Sequence, residues 1–136
     1  MKTGWKKITE RGLVLMMQHK FSKTEQQTAR AVSMPLFLSD YDPYRFTLNN
    51  KGYLLDSENP DWVGDIRKNW WYDNNKTASH KNGNIIDWLM YMSGNSYSFP
   101  EAMSILLEYD SGGDWKQYLR NNEFTPVDYD EELPFN

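Results

Sequence analysis

Cysteine is absent from this chain of 136 residues. That excludes disulfides, iron–sulfur clusters, thiolate zinc sites and cysteine nucleophiles. Histidine is scarce: His19 and His80 stand far apart in sequence and offer little from which to build a metal site. No metal and no cofactor is therefore expected. Long apolar runs are also missing, since none approaches the roughly 20 residues that span a bilayer, and no membrane partner is expected. The basic start, Met1-Lys2-Thr3-Gly4-Trp5-Lys6-Lys7, leads into an apolar stretch at 12–17 with no small-residue cleavage site after it. The expectation is a cytoplasmic protein without a secretory signal. Gly112-Gly113 does not follow a strand and open a helix in the manner of a phosphate-binding loop, so no nucleotide site is assigned there.

Aromatic residues are abundant: six Trp, nine Tyr and six Phe. Each buries a large area, so one domain of this length can close a core without covalent staples. Charge is uneven. Residues 1–30 hold seven Lys/Arg against Glu10 and Glu25, a net +5, within a chain whose total is −4. An acidic chain is no bulk phosphate binder, because non-specific nucleic-acid affinity comes from many Lys/Arg–phosphate contacts. Any such contact must be local, through a basic patch or stacking on aromatic rings.

Three textures follow one another. An apolar N-terminal segment around Leu13, Met16 and Met17 reads as helical. Ser22-Lys23-Thr24-Glu25 is then a capping box that opens a helix to about Ser33, with Ala29 and Val32 on one face. Pro35 predicts a break or kink at Met34, and Leu36-Phe37-Leu38 is expected to be buried. From Asp40 the pattern is three or four short antiparallel strands. Arg45-Phe46-Thr47-Leu48 and Tyr53-Leu54-Leu55 flank the turn Asn49-Asn50-Lys51-Gly52, and Ser57-Glu58-Asn59-Pro60 is a loop. Trp62-Val63-Gly64-Asp65-Ile66 and Trp70-Trp71-Tyr72 come next. The last texture is helical. Asn84 and Asp87 form a reciprocal cap before Ile85, Trp88, Leu89 and Met92, spaced as one helix face. Ser98-Phe99-Pro100-Glu101 caps a helix with Ala102, Ile105, Leu106 and Tyr109 on one side, stopping at Ser111-Gly112-Gly113. Asp114-Trp115-Lys116-Gln117 begins a short final helix through about Arg120. The expected fold is α+β: N-terminal helices, a small antiparallel meander and a C-terminal helical layer. It forms a single domain over 1–122, followed by an acidic tail over 123–136.

No carboxylate pair is marked as catalytic, because an acid–base pair needs environments that separate the two pKa values. Ser79 and His80 are neighbours in a polar loop without an orienting acid, so no nucleophile is assigned. Trp70-Trp71-Tyr72 carries more information. Alternation puts Trp70 and Tyr72 on one face of a strand and Trp71 on the other. Arg67, Lys68, Lys76 and Lys81 lie close by in sequence. Rings on a sheet beside cations are the usual stacking platform for single-stranded bases. The alternative is that both faces are covered, by helices on one side and by the tail or a partner on the other.

Several segments together resemble the zinc-binding domain of bacterial DNA primases. They are Ala31-Val32-Ser33-Met34-Pro35-Leu36, Lys51-Gly52-Tyr53, Trp70-Trp71-Tyr72, Gly83-Asn84-Ile85-Ile86-Asp87-Trp88-Leu89-Met90-Tyr91-Met92, Ser98-Phe99-Pro100-Glu101-Ala102 and Ile105-Leu106. Their order is similar to the cysteine-free, primase-like module found beside TOPRIM domains in plasmid and phage replication and mobilisation proteins. The likeness covers roughly residues 29–109. The family holds zinc with Cys-x2-His and Cys-x2-Cys pairs, but the corresponding residues 55–65 and 72–82 contain no cysteine and only His80, so zinc does not carry over. Nor is there a TOPRIM domain to supply catalysis. The resemblance implies a zinc-less, non-enzymatic module that binds single-stranded or structured nucleic acid in replication or transfer. Arg67, Lys68, Trp70, Tyr72, Lys76 and Lys81 would be its contacts. A small-molecule ligand is not expected.

The end of the chain, Asp128-Tyr129-Asp130-Glu131-Glu132-Leu133-Pro134-Phe135, is similar to the acidic tip of bacterial single-stranded-DNA-binding proteins. That likeness makes Asp130, Glu131, Glu132, Leu133, Pro134 and Phe135 a candidate protein-docking element. Asn136 sets the terminal carboxylate one residue beyond the Phe. A solvated acidic tail, or one folded back on the aromatic sheet, are the alternatives. The rival function is a protein-binding inhibitor or adaptor, for example an anti-defence protein of the anti-CRISPR type, on a primase-like scaffold. Net acidity, small size and the lost zinc ligands favour it.

Overall fold

The computed structural model describes residues 20–120. The apolar segment around Leu13 and the acidic tail lie outside the described residues. Helix α1 spans Lys23–Ala31, with the Ser22 hydroxyl accepting from the Glu25 N–H and the Glu25 carboxylate accepting from the Ser22 N–H. It ends two residues earlier than its sequence pattern predicts. The expected break falls just before Met34, at Val32 and Ser33, and Pro35 sits in the first turn of the next helix: α2 runs Met34–Tyr41 with Ser33 as N-cap. In the first turn the missing proline N–H has no partner to lose. Phe37 and Leu38 are buried as expected, but Leu36 is 64 % exposed because its neighbours already fill the core-facing side of the short helix.

Five strands form one antiparallel meander: β1 (Phe46–Leu48), β2 (Tyr53–Asp56), β3 (Asn59–Asp65), β4 (Trp70–Asp73) and β5 (Asn82–Gly83), paired in that order. The expected loop at Ser57-Glu58-Asn59-Pro60 is tighter than its composition suggests. Asn59 already pairs with Asp56, which leaves Ser57 and Glu58 as the turn. The Asp56 carboxylate accepts the Glu58 N–H at 2.8 Å and fixes that turn. Further along, Asp73 accepts from the Asn59 side-chain amide at 3.1 Å and from the Asn75 N–H at 2.9 Å, tying the β3 start to the β4 end.

One face of the sheet is the floor of the core. Across it run Leu54, Gly64, Trp71 and Gly83 in register. Gly64 lets the core pack closely there: a Cβ would stand 3.0 Å from the Trp62 ring and 3.1 Å from the Met34 methyl. Gly83 likewise leaves room for the Asp87 carboxylate, which a Cβ would meet at 2.6 Å. Above the floor, α3 (Ile85–Asp87) carries the Asn84/Asp87 reciprocal cap and passes into a π-helical turn, Trp88–Met92. The wider i→i+5 bonding shifts the later residues around the axis. Ile85, Trp88 and Leu89 therefore reach the core while Met92 is only half-buried. Helix α4 spans Phe99–Ser111, capped by Ser98 and Glu101 and stopped at Gly112, whose φ is 81°. The expected short final helix is a 3₁₀ turn, Trp115–Tyr118, which delivers Trp115 to the core.

Aromatic rings pack within the helical layer and between it and the sheet. Phe37 contacts Tyr109 and Trp115 at centroid distances of 5.0 and 5.3 Å; Phe46 contacts Trp62 and Trp88 at 5.6 and 5.9 Å. Aromatic pairs of this kind add to the area they bury. The result is an α+β fold with its helices on one side of the meander. Among the described residues no helix is long and apolar enough to cross a membrane.

Candidate nucleic-acid interface

Strand alternation divides β4 as its sequence predicts. Trp71 is fully buried, and its indole N–H donates to the Asn84 carbonyl at 2.8 Å. Trp70 and Tyr72 are on the opposite face, each half-buried. Register extends that face across the sheet. Tyr53, Asp65 and Trp70 form one row; Leu55, Val63, Tyr72 and Asn82 form the next. Tyr53, Val63 and Tyr72 line a shallow depression of about 410 Å³ together with Asp65, Lys68 and Asn74. Three tyrosine or tryptophan rings thus share one open sheet surface.

The four-residue turn between β3 and β4 supplies the cations. Asp65 is buried, and its carboxylate accepts the Arg67 N–H at 3.0 Å, so this acid is committed to shaping the turn. Arg67 and Lys68 are exposed, and among the described residues neither is in an ion pair. Asn69 closes the turn with φ of 53°, a left-handed conformation that Asn tolerates better than most residues. Its side chain donates to the carbonyls of Arg30 (3.1 Å) and Val32 (2.8 Å) and accepts from the Met34 N–H (2.8 Å). The turn is thereby locked to the junction of α1 and α2. On the face itself the Trp70 indole donates to Asn82 at 3.1 Å, which fixes the ring's orientation.

The structure gathers part of the sequence-predicted set. Lys68 and Tyr72 share the depression, Trp70 lies in the adjoining row, and Arg67 stands on the same turn. Lys76 and Lys81 belong to the loop after β4 and line neither the depression nor the groove beside Trp70. The Lys81 ammonium donates to the carbonyls of Asn75 and Lys76 at 3.1 Å each, so it fastens that loop. Val63 had no distinguishing mark in sequence and Tyr53 stood out only within Lys51-Gly52-Tyr53; the turns that align them with Tyr72 are Ser57-Glu58 between β2 and β3 and residues 66–69 between β3 and β4. The docking element at Asp130, Glu131, Glu132, Leu133, Pro134 and Phe135 lies outside the described residues. Ser79 and the His80 Nδ1 are 3.1 Å apart, and the imidazole stacks on Tyr91 at 3.6 Å. The pair is exposed and holds a loop against a helix.

No family model matches the chain, and neither a curated protein nor a solved structure does.

Among the described residues no cluster of three His, Asp or Glu could hold a metal ion. Asn59 and Asp73, in residues 55–65 and 72–82, are joined by a hydrogen bond. Thermal unfolding with and without a strong chelator is therefore expected to coincide, since zinc-dependent folds lose their folding energy with the metal. A drop of several degrees on chelation would contradict this.

Proposed function

We propose that this chain is a non-catalytic module that binds single-stranded or structured nucleic acid on the outer face of its sheet. One observation carries the reading: Tyr53, Trp70 and Tyr72 lie on one open face, Lys68 lines the depression on it, and the exposed Arg67 stands on the same turn, neither cation being in an ion pair among the described residues. Every base has a π-face, so such a surface stacks single strands with little sequence preference, and a few cations add phosphate contacts. The resemblance to primase zinc-binding domains supports a role in replication or transfer for a phage or mobile element, in the cytoplasm. The net charge of −4 and the Leu133-Pro134-Phe135 end favour a second reading, a protein-binding inhibitor or adaptor.

Titration of a labelled oligonucleotide at two salt concentrations tests the proposal. Tyr72→Ala is expected to weaken binding by about 1–3 kcal/mol, the usual worth of one stacked base. Lys68→Gln is expected to lower the salt slope by about 0.7, one phosphate contact on a single strand. Wild-type binding weaker than about 100 μM at low salt, the weak end of ordinary non-specific affinity, would remove the nucleic-acid reading and leave the protein-binding one.

A further inference from the structure

A second concavity, of about 560 Å³, lies where the β3–β4 turn meets the junction of α1 and α2. It is lined by Arg30, Ser33, Lys68, Asn69, Trp70 and Asn84 among its walls. Lys68 lines both this groove and the depression on the sheet face, and Trp70 belongs to the face and the groove alike. The two concavities are therefore neighbours that share a cation. Among the described residues no acidic side chain lines the groove, although the chain as a whole is acidic. Arg30 is exposed and, among the described residues, in no ion pair.

The backbone here has little left to offer an anion. At the start of α2 the Met34 N–H is taken by Asn69, the Leu36 N–H by the Ser33 hydroxyl and the Phe37 N–H by the Ser33 carbonyl. The Asn84 N–H is taken by Asp87. Positive potential in the groove thus comes from Arg30 and Lys68, which line it together with Trp70. The walls are held before any ligand arrives, because Asn69 bridges the turn to the carbonyls of Arg30 and Val32. A preformed channel reduces the ordering that binding would otherwise require.

We propose that this groove takes the continuation of the single strand stacked on the sheet face, with Arg30 and Lys68 on successive phosphates and Trp70 under the base between them. The inference rests on the nucleic-acid reading and extends its footprint around the end of the sheet. A sugar–phosphate chain fits this charge pattern, because it presents one anion per nucleotide and a flat ring between anions.

The test uses the full chain and a labelled twelve-residue oligothymidylate, with salt titrations of Arg30→Gln, Arg30→Lys, Tyr72→Ala and, as a charge control, Lys116→Gln. Lys116 lines neither concavity. Arg30→Gln should weaken binding at low salt by about threefold or more and lower the salt slope by about 0.7. Arg30→Lys should keep the slope, since it retains the charge and loses only the fork. Lys116→Gln should leave the slope as it is. Coincident thermal unfolding of Arg30→Gln and wild type would assign the loss to contact rather than folding. An Arg30→Gln slope equal to wild type, with Tyr72→Ala still losing affinity, overturns the groove while the sheet-face reading stands. No binding by the wild type overturns both.

Discussion

Truncating Leu106 to Ala should lower the free energy of unfolding by about 2–5 kcal/mol, and Leu89→Ala should do the same. Both side chains are fully buried. Leu106 sits on the inner stripe of α4 with Ala102, Met103 and Ile105, none of them accessible to solvent. Leu89 enters the same core from the π-helical turn after α3, beside Ile85 and Trp88. Removing either isobutyl group takes away its transfer energy and leaves a cavity that capped, closely packed helices cannot collapse around. Leu36→Ala provides the contrast, because that side chain is 64 % exposed and its loss should stay within about 0.5 kcal/mol. Denaturant melts read all three, provided the slope m is unchanged. A loss under about 0.5 kcal/mol at both Leu89 and Leu106 would mean that the helical layer does not pack on the sheet as described.

Why some of this was legible in the sequence and some was not follows from the range of each interaction. The caps at Ser22/Glu25, Asn84/Asp87 and Ser98/Glu101 span three residues, so their chemistry is written locally, and all three are formed. Pro35 obeys an equally local rule with two outcomes. It ends a helix that reaches it and starts one that follows it, and here the Ser33 cap is joined by a distant bond, from the Met34 N–H to Asn69, in fixing the start of α2. Strand alternation separated Trp71 from Trp70 and Tyr72 without help from other strands. Placing Tyr53 in the same row as Trp70 required the register of two hairpins, which periodicity does not carry. The link from Asn69 to the carbonyls of Arg30 and Val32 spans 39 and 37 residues and left no trace in any local pattern. The candidate interface was therefore half visible: its rings on β4 and the cations of the adjoining turn could be read, while Tyr53 and Arg30 depended on the assembled fold.

The same distinction governs the ion pair at the sheet edge, where the other large effect is expected. Arg45 precedes β1 and Asp56 ends β2. The guanidinium Nε and Nη2 donate to the two carboxylate oxygens at 2.8 Å each. The Arg45 side chain is 11 % exposed and that of Asp56 1 %. The guanidinium also lies 5.1 and 5.6 Å from the ring centroids of Phe46 and Trp88. Burial works against the Arg45 charge, but the bond to Asp56 and the fields of Asp56, Glu58 and Asp42 outweigh it and raise the pKa above its ordinary value. Arg45 therefore keeps the charge that a guanidinium ordinarily carries. Asp56→Ala would leave that charge without its partner, and Glu58, at 3.6 Å but 66 % exposed, is too well screened to replace it. It would also release the Glu58 N–H that fixes the β2–β3 turn. The expected loss is about 3–5 kcal/mol, as for other broken buried pairs. Replacing both partners together, Arg45→Met with Asp56→Leu, should be less damaging than Asp56→Ala alone, because no uncompensated charge is left behind. A double-mutant cycle in denaturant checks both statements. If Asp56→Ala loses less than about 1 kcal/mol, the guanidinium has swung into water, and the pair has the energetics of a surface bridge rather than of a buried one.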